Sequence, residues 1–113
     1  MESTTPITAQ YVQSDEFDQL LASEKLLVVD YTASWCGPCR VVSPLIDRLA
    51  TEYAERATVV KFDIEHDKDN PKKYGIRSIP AVLVFKDGEL VGNFVGKIPY
   101  ETYSNALETH LKL

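Results

Sequence analysis

Apolar positions along the chain change period several times, and each change marks an element. ITAQYVQ (7–13) alternates apolar and polar residues, with Ile7, Ala9 and Tyr11 on one side, and predicts a first strand near a sheet edge. SDEFDQLLAS follows, with Ser14 as a helix cap, acids in the first turn, and Phe17, Leu20 and Leu21 on one face. LLVVDYT (26–32) is apolar throughout apart from Asp30 and the closing threonine, the pattern of a strand covered on both sides. Beyond WCGP, Val42, Leu45, Ile46, Leu49, Ala50 and Tyr53 recur at offsets of three and four, which predicts a long amphipathic helix. Pro44 falls inside it and removes the bond to the Arg40 carbonyl, so a local kink is expected.

ATVVKFDI (57–64) predicts a further strand, with Val60, Phe62 and Ile64 on one face. HDKDNPKKYG predicts a loop and a short helix: Asn70 caps it, Pro71 takes its first turn, and Gly75 stops it. IPAVLVFKDGELVGNFVG reads as two strands joined at Asp87-Gly88. PYETYSNALETHLKL closes the chain as a helix, with Pro99 at its start and Tyr103, Leu107 and Leu111 in line. The order β-α-β-α-β-α-β-β-α predicts an α/β sandwich, with helices on both faces of a mixed sheet and a single domain over 1–113.

Bulk composition changes this picture little. At 113 residues, 44% of them apolar and 26% charged, the chain is one globular domain able to build a core without staples. No apolar run approaches the ~18 residues that span a membrane, so no membrane partner is expected. MESTTPITAQY lacks a basic and then apolar export profile. A cytoplasmic protein is expected, or a protein of a reducing organelle stroma if a transit peptide was removed. Residues 1–56 carry nine acids and four bases, and 57–113 carry eight of each, which gives a net charge of −5. Neither half has the basic stripe that phosphates require, so no nucleic-acid partner is expected.

The chemistry is concentrated in WCGPCR (35–40), which holds both cysteines of the chain. Random placement puts two cysteines three apart in only about 2% of arrangements, so the spacing needs a cause. On a helical turn that spacing is roughly 5 to 6 Å, within the Cα range of a disulfide. Cys36 falls at the amino end of the long helix, where free N–H groups and the macrodipole favour an anion; a lowered thiol pKa is expected there. Gly37 is expected to let the backbone turn close beside the sulfur, and Pro38 to stiffen the first turn. Cys39, one turn in, is expected to be sheltered while Cys36 is exposed, an attacker and a resolver.

Two other readings of the pair stay open at this point. Zinc needs about four ligands, and the remaining soft candidates, His66 and His110, lie far apart in sequence, so no metal is expected. A purely structural disulfide would close a four-residue loop, which is the least rewarding kind to close. Asp30 is similarly ambiguous. A buried carboxyl six residues before Cys36 should have its pKa raised. It either caps a strand end or pairs with a lysine, or it takes the proton of Cys39 through a water as a general base.

Taken together, VVDYTASWCGPCR and its downstream partners resemble the thioredoxin family, and the resemblance runs essentially end to end. Pro44 falls on the family's helix-kinking proline and Lys61 on the lysine beside its buried aspartate. Ile79-Pro80 resembles the cis-proline turn facing the dithiol, and Gly88 and Gly96 fall on family glycines. The resemblance implies the thioredoxin fold, a five-stranded mixed sheet flanked by four helices. It also implies a monomeric protein-disulfide reductase in which Cys36 attacks, Cys39 resolves, and Asp30 and Lys61 assist. Trp35, Gly37, Pro38, Ile79, Pro80 and Gly96 are then expected to contact the target, the Ile79 backbone by strand addition.

No GxGxxG-type nucleotide site is visible, so no cofactor is expected. Electrons then come from a thioredoxin reductase, of the NADPH-flavin or the ferredoxin-dependent kind. Thr32, Ala81 and Lys97 depart from common family residues, Thr32 and Lys97 in a way expected to alter the surface around Cys36. An oxidant or isomerase remains the alternative within the same chemistry, and an interaction module with an incidental dithiol the alternative outside it.

Overall fold

The computed structural model describes residues 7–112. Its elements follow the order β1 (Gln10–Tyr11), α1 (Ser14–Ser23), β2 (Leu26–Thr32), α2 (Gly37–Glu52), β3 (Thr58–Asp63), α3 (Asp69–Lys73), β4 (Ala81–Lys86), β5 (Glu89–Val95) and α4 (Tyr100–Leu111). The five strands form one sheet in the order β1-β3-β2-β4-β5. β1, β3 and β2 run parallel, whereas β4 is antiparallel to both β2 and β5.

β2 lies at the centre, and all seven of its residues are buried. Because side chains alternate along a strand, its two faces feed two cores. Leu26 and Val28 pack with Val42, Ile46 and Leu49 of α2 and with Tyr103 and Leu107 of α4. Leu27, Val29 and Tyr31 pack on the opposite side with Phe17 of α1 and with Val60 and Phe62 of β3. Asp30 shares its parity with Val28 and so faces α2 and α4. The apolar stripe expected between Val42 and Tyr53 is the stripe that α2 buries. Pro44 lies within that helix.

The β4–β5 hairpin turns at the expected dipeptide. Asp87 and Gly88 have φ of 50° and 82°, the paired positive values that match a tight turn to strand twist. The first strand is shorter than the alternation suggests. Gln10 and Tyr11 are in register with β3, and Val12 N adds a bond to the Lys61 carbonyl (2.9 Å); before them α2 takes the backbone, Ile7 N donating to Thr51 Oγ1 (3.0 Å) and Ala9 N to Asp47 Oδ1 (3.0 Å). Ala9 is buried while Ile7 and Tyr11 are exposed, so the three do not share one buried side.

Two expected helix caps are displaced. Gln13, not Ser14, caps α1, its N–H donating to Glu16 Oε1 at 3.3 Å. The Ser14 hydroxyl is engaged across the fold by Asp67. That carboxylate also replaces Asn70 as the cap of α3, accepting from the N–H groups of Asp69 (2.9 Å) and Asn70 (3.2 Å). Asn70 itself lies inside the helix, buried, and accepts the Tyr31 hydroxyl at 2.7 Å.

Candidate functional site

Cys36 and Cys39 meet where β2 hands over to α2. Cys36 is the residue that caps α2, in an extended conformation (φ −90°, ψ 108°), and Cys39 sits in the first turn. Their Cα atoms are 5.3 Å apart and the sulfurs are joined in a disulfide. Cys36 Sγ accepts the N–H of Cys39 at 3.2 Å, so a free helix-end donor points at that sulfur.

Cys39 is sheltered as expected, but the disulfide form does not show the exposed Cys36 that the sequence suggests. Cys36 is 4% exposed and Cys39 2%, because Ile64, Ile79 and Ala33 pack around both. The Ile79 carbonyl oxygen lies 4.0 Å from Cys36 Sγ. Gly37 also differs from its expected role: a Cβ there would meet nothing within 4 Å, so the chain's own packing makes no demand for glycine. Pro38 is exposed in the first turn of α2.

Ile79, whose carbonyl approaches Cys36, leads into the proline turn. The Ile79–Pro80 bond is cis. Gly96, at φ 91°, donates its N–H to the Pro80 carbonyl at 2.8 Å, which ties the end of β5 to the proline; a side chain at that φ would be strained. Trp35 is 66% exposed and, with Ile64, Pro71, Ile76 and Ile79, lines a groove of 420 Å³ that also presents Lys68, Lys72 and Arg77. Thr32 is only 8% exposed, so it does not shape the outer surface. It lines a 180 Å³ recess with Cys39, Ser43 and Asp63. Lys97 is exposed and Ala81 buried. A larger recess of 520 Å³, bounded by residues such as Ser14, Phe62, His66 and Asp67, contains neither cysteine.

Asp30 lies in β2, six residues before Cys36, and is 1% exposed. Burial pushes its carboxyl up to about 7 from the ordinary 3.8, the nearby Lys61 charge opposing the rise and that of Asp47 adding to it. Lys61 is the strand partner of Asp30, as the resemblance implies. Its ammonium, however, bonds elsewhere: to Asp47 Oδ1 at 3.0 Å and to Ser43 Oγ at 2.7 Å. Ser43 and Asp47 were not singled out in the sequence. Their spacing of four on one helix, facing a lysine buried in a strand, is the signal that finds them.

A cysteine pair joined at a helix mouth, in the segment after a strand that carries a buried carboxyl, fits a thiol–disulfide oxidoreductase. The comparisons with known proteins agree. The thioredoxin family model matches residues 8–109. Thioredoxin 1 of Synechococcus elongatus is 42% identical over 93 residues, covering 82% of this chain and 87% of that protein. Thioredoxin 1 of a Nostoc species is 41% identical over 103 residues, covering 91% and 96%. Among solved structures, a mutant thioredoxin from Halobacterium salinarum superposes with a TM-score of 0.87 at 29% identity, covering 99% of this chain and 98% of that one. The chain belongs to the thioredoxin family, and its Cys36–Cys39 pair is that of a disulfide reductase. Among the described residues no helix is long and apolar enough to cross a membrane.

Proposed function

We propose that this chain reduces disulfides of other proteins, with Cys36 as the attacking sulfur and Cys39 as the resolving one. The observation that carries the assignment is the hydrogen bond from Cys39 N–H to Cys36 Sγ at the start of α2. A donor aimed at that sulfur, added to the helix dipole, stabilises the Cys36 thiolate once the bond is reduced. The thiolate attacks one sulfur of the target disulfide, forming a mixed disulfide and releasing the other target sulfur as a thiolate. Asp30, ionised, accepts the proton of Cys39. The Cys39 thiolate then attacks Cys36 Sγ, the second target sulfur leaves, and two electrons have passed to the target.

Trp35, Gly37, Pro38, Ile79, Pro80 and Gly96 form the docking surface. The carbonyl of Ile79, beside Cys36, supports pairing with an extended target segment. Bare backbone at Gly37 gives that segment room to approach, which explains a glycine the fold itself does not require. Lys61 holds Asp47 and Ser43 beside the base. The protein acts as a monomer in a reducing compartment, the cytoplasm or an organelle stroma, without a cofactor of its own. Its electrons come from a thioredoxin reductase, NADPH-flavin or ferredoxin-dependent. A chloroplast M-type thioredoxin of Pisum sativum, 42% identical over 103 residues, supports the stromal option; this chain covers 60% of it.

The test is Cys39→Ser. Incubated with a disulfide-bonded protein, this variant should accumulate a covalent adduct on Cys36 that dithiothreitol releases. Absence of an adduct, or an adduct mapped to another residue, would overturn the assignment of roles.

A further inference from the structure

The strand registers set Tyr11, Lys61, Asp30, Val82 and Phe94 in one cross-strand row on the face covered by α2 and α4. The two sides of Asp30 in that row differ. Towards β3 stands Lys61, with its ammonium tied to Asp47 and Ser43 of α2. Towards β5 the row is apolar until Phe94, and against Phe94 stands the ring of Tyr103, edge-on at 5.9 Å and 88°. Tyr103 is 1% exposed and packs in the same core as Val28 and Val82, the residues flanking Asp30 along and across the sheet.

Within this core two polar atoms share the same defect. Among the described residues, Asp30 Oδ1 and the Tyr103 hydroxyl are both sealed from solvent and both lack a hydrogen-bond partner. They do not bond to each other, but Tyr103 packs in the core that holds both Val28 and Val82, the neighbours of Asp30; burial first, and then the Asp30 charge, push the Tyr103 phenol up to about 12. Buried polar groups are nearly always satisfied, and a polar contact too long to be direct is the setting in which a bridging water is found. The structure otherwise leaves an Asp30 oxygen and the Tyr103 hydroxyl both unpartnered in an apolar core.

We propose that Tyr103 is a positioning residue for Asp30, and that the two share one buried water. The phenol donates to the water oxygen, and the water donates to Asp30 Oδ1. This arrangement turns Oδ1 towards α4 and leaves the other oxygen for the dithiol. It also favours the ionised carboxyl, so the midpoint of Asp30 lies lower than burial alone would set it. The charged or titratable groups facing Asp30 are then Lys61 from β3, Asp47 and, once the disulfide is reduced, Cys39 from α2, and Tyr103 from α4, while β4 offers only Val82. The inference rests on Asp30 acting as the base of the proposed reaction only for its catalytic consequence; the hydrogen-bond assignment stands apart from it.

The experiment follows the Asp30 carboxyl carbon by NMR across pH in the disulfide form, where no thiol titrates. Tyr103→Phe keeps the ring against Phe94 and removes only the hydroxyl. It should move the Asp30 midpoint upward by about one pH unit, the worth of one hydrogen bond to a charged acceptor. The pH profile of target reduction should move by the same amount, and the move should vanish when Tyr103→Phe is made in an Asp30→Asn background. An unmoved carboxyl midpoint in folded Tyr103→Phe overturns the proposal. Should that variant not fold, the unsubstituted protein decides: the Tyr103 Cζ resonance should inflect at the Asp30 midpoint, and a flat trace overturns the proposal. A rate unaffected by Asp30→Asn would instead remove the base role while leaving the NMR outcome intact.

Discussion

Asp30 and Lys61 face each other as partners in adjacent strands, yet the Lys61 ammonium bonds to Asp47 at 3.0 Å, and no ion pair joins it to Asp30 among the described residues. The Asp30 carboxyl is therefore buried beside a cation whose charge is already matched. That is why burial outweighs the lysine and the carboxyl titrates near 7. An aspartate fully paired with Lys61 would stay ionised throughout and could not take a proton near neutral pH.

The first prediction concerns stability against pH. Asp30 titrates near 7 in the fold and near 3.8 in an ordinary setting, so the folded state binds its proton more tightly than the unfolded chain does. The associated stability is complete below about pH 4 and is lost as pH rises towards 7, roughly 4 kcal/mol at most. Asp30→Asn cannot ionise and should escape that loss. Urea denaturation should show the variant gaining on the parent between pH 4.5 and pH 8, with no further gain above. Equal stability differences at both pH values would contradict a raised carboxyl.

Asp47 is the second handle. Asp47→Asn keeps an acceptor for the Ala9 N–H but removes the charge that holds Lys61. The freed ammonium should turn to Asp30 and pull its carboxyl below 7. At pH 5 the loss should be about 3 kcal/mol, because a buried lysine then faces a neutral Asp30. At pH 8 it should be smaller, since ionised Asp30 replaces the missing partner. A loss independent of pH would show that Lys61 does not exchange partners.

Trp35 separates docking from folding. It is an exposed side chain, so Trp35→Ala should change stability by less than about 0.5 kcal/mol. Its indole walls the groove beside Ile79, and an aromatic anchor of that kind is worth about 1–2 kcal/mol to a docked partner. Reduction of a protein disulfide should fall about tenfold in kcat/KM, while reduction of a small aromatic disulfide should hardly change. Equal losses on both substrates would place Trp35 in the chemistry instead.

Residues that act through their neighbours in sequence are legible in the sequence itself. The α2 stripe from Val42 to Tyr53, the Asp87-Gly88 turn and the Cys36–Cys39 spacing each follow from local periodicity or backbone sterics. Local pattern misleads wherever a side chain finds a partner from another element. Ser14 reads as a cap until Asp67, 53 positions on, takes its hydroxyl. Asn70 reads as a cap until Tyr31 buries it. At the site, the sulfur chemistry and the raised carboxyl are readable because burial of a lone aspartate follows from strand pattern alone. The Asp47 clasp on Lys61 and the burial of the Tyr103 hydroxyl in the core are not, since both depend on how α2 and α4 pack on the sheet.

The Tyr31–Asn70 bond offers a test of such long-range pairing. It joins the centre of the sheet to α3, and through α3 to the groove, because Pro71 and Lys72 are groove residues. Tyr31→Phe removes the donor and leaves Asn70 Oδ1 buried without a partner, which should cost about 1–3 kcal/mol in urea denaturation at unchanged m-value. The loss is set mainly by the stranded acceptor rather than by the missing bond, so removing the acceptor as well should recover part of it. Adding Asn70→Leu to Tyr31→Phe should therefore give a double variant more stable than the two single losses added together. Strict additivity would mean that the two side chains stabilise the fold independently, and that α3 is held against the sheet by its apolar contacts alone.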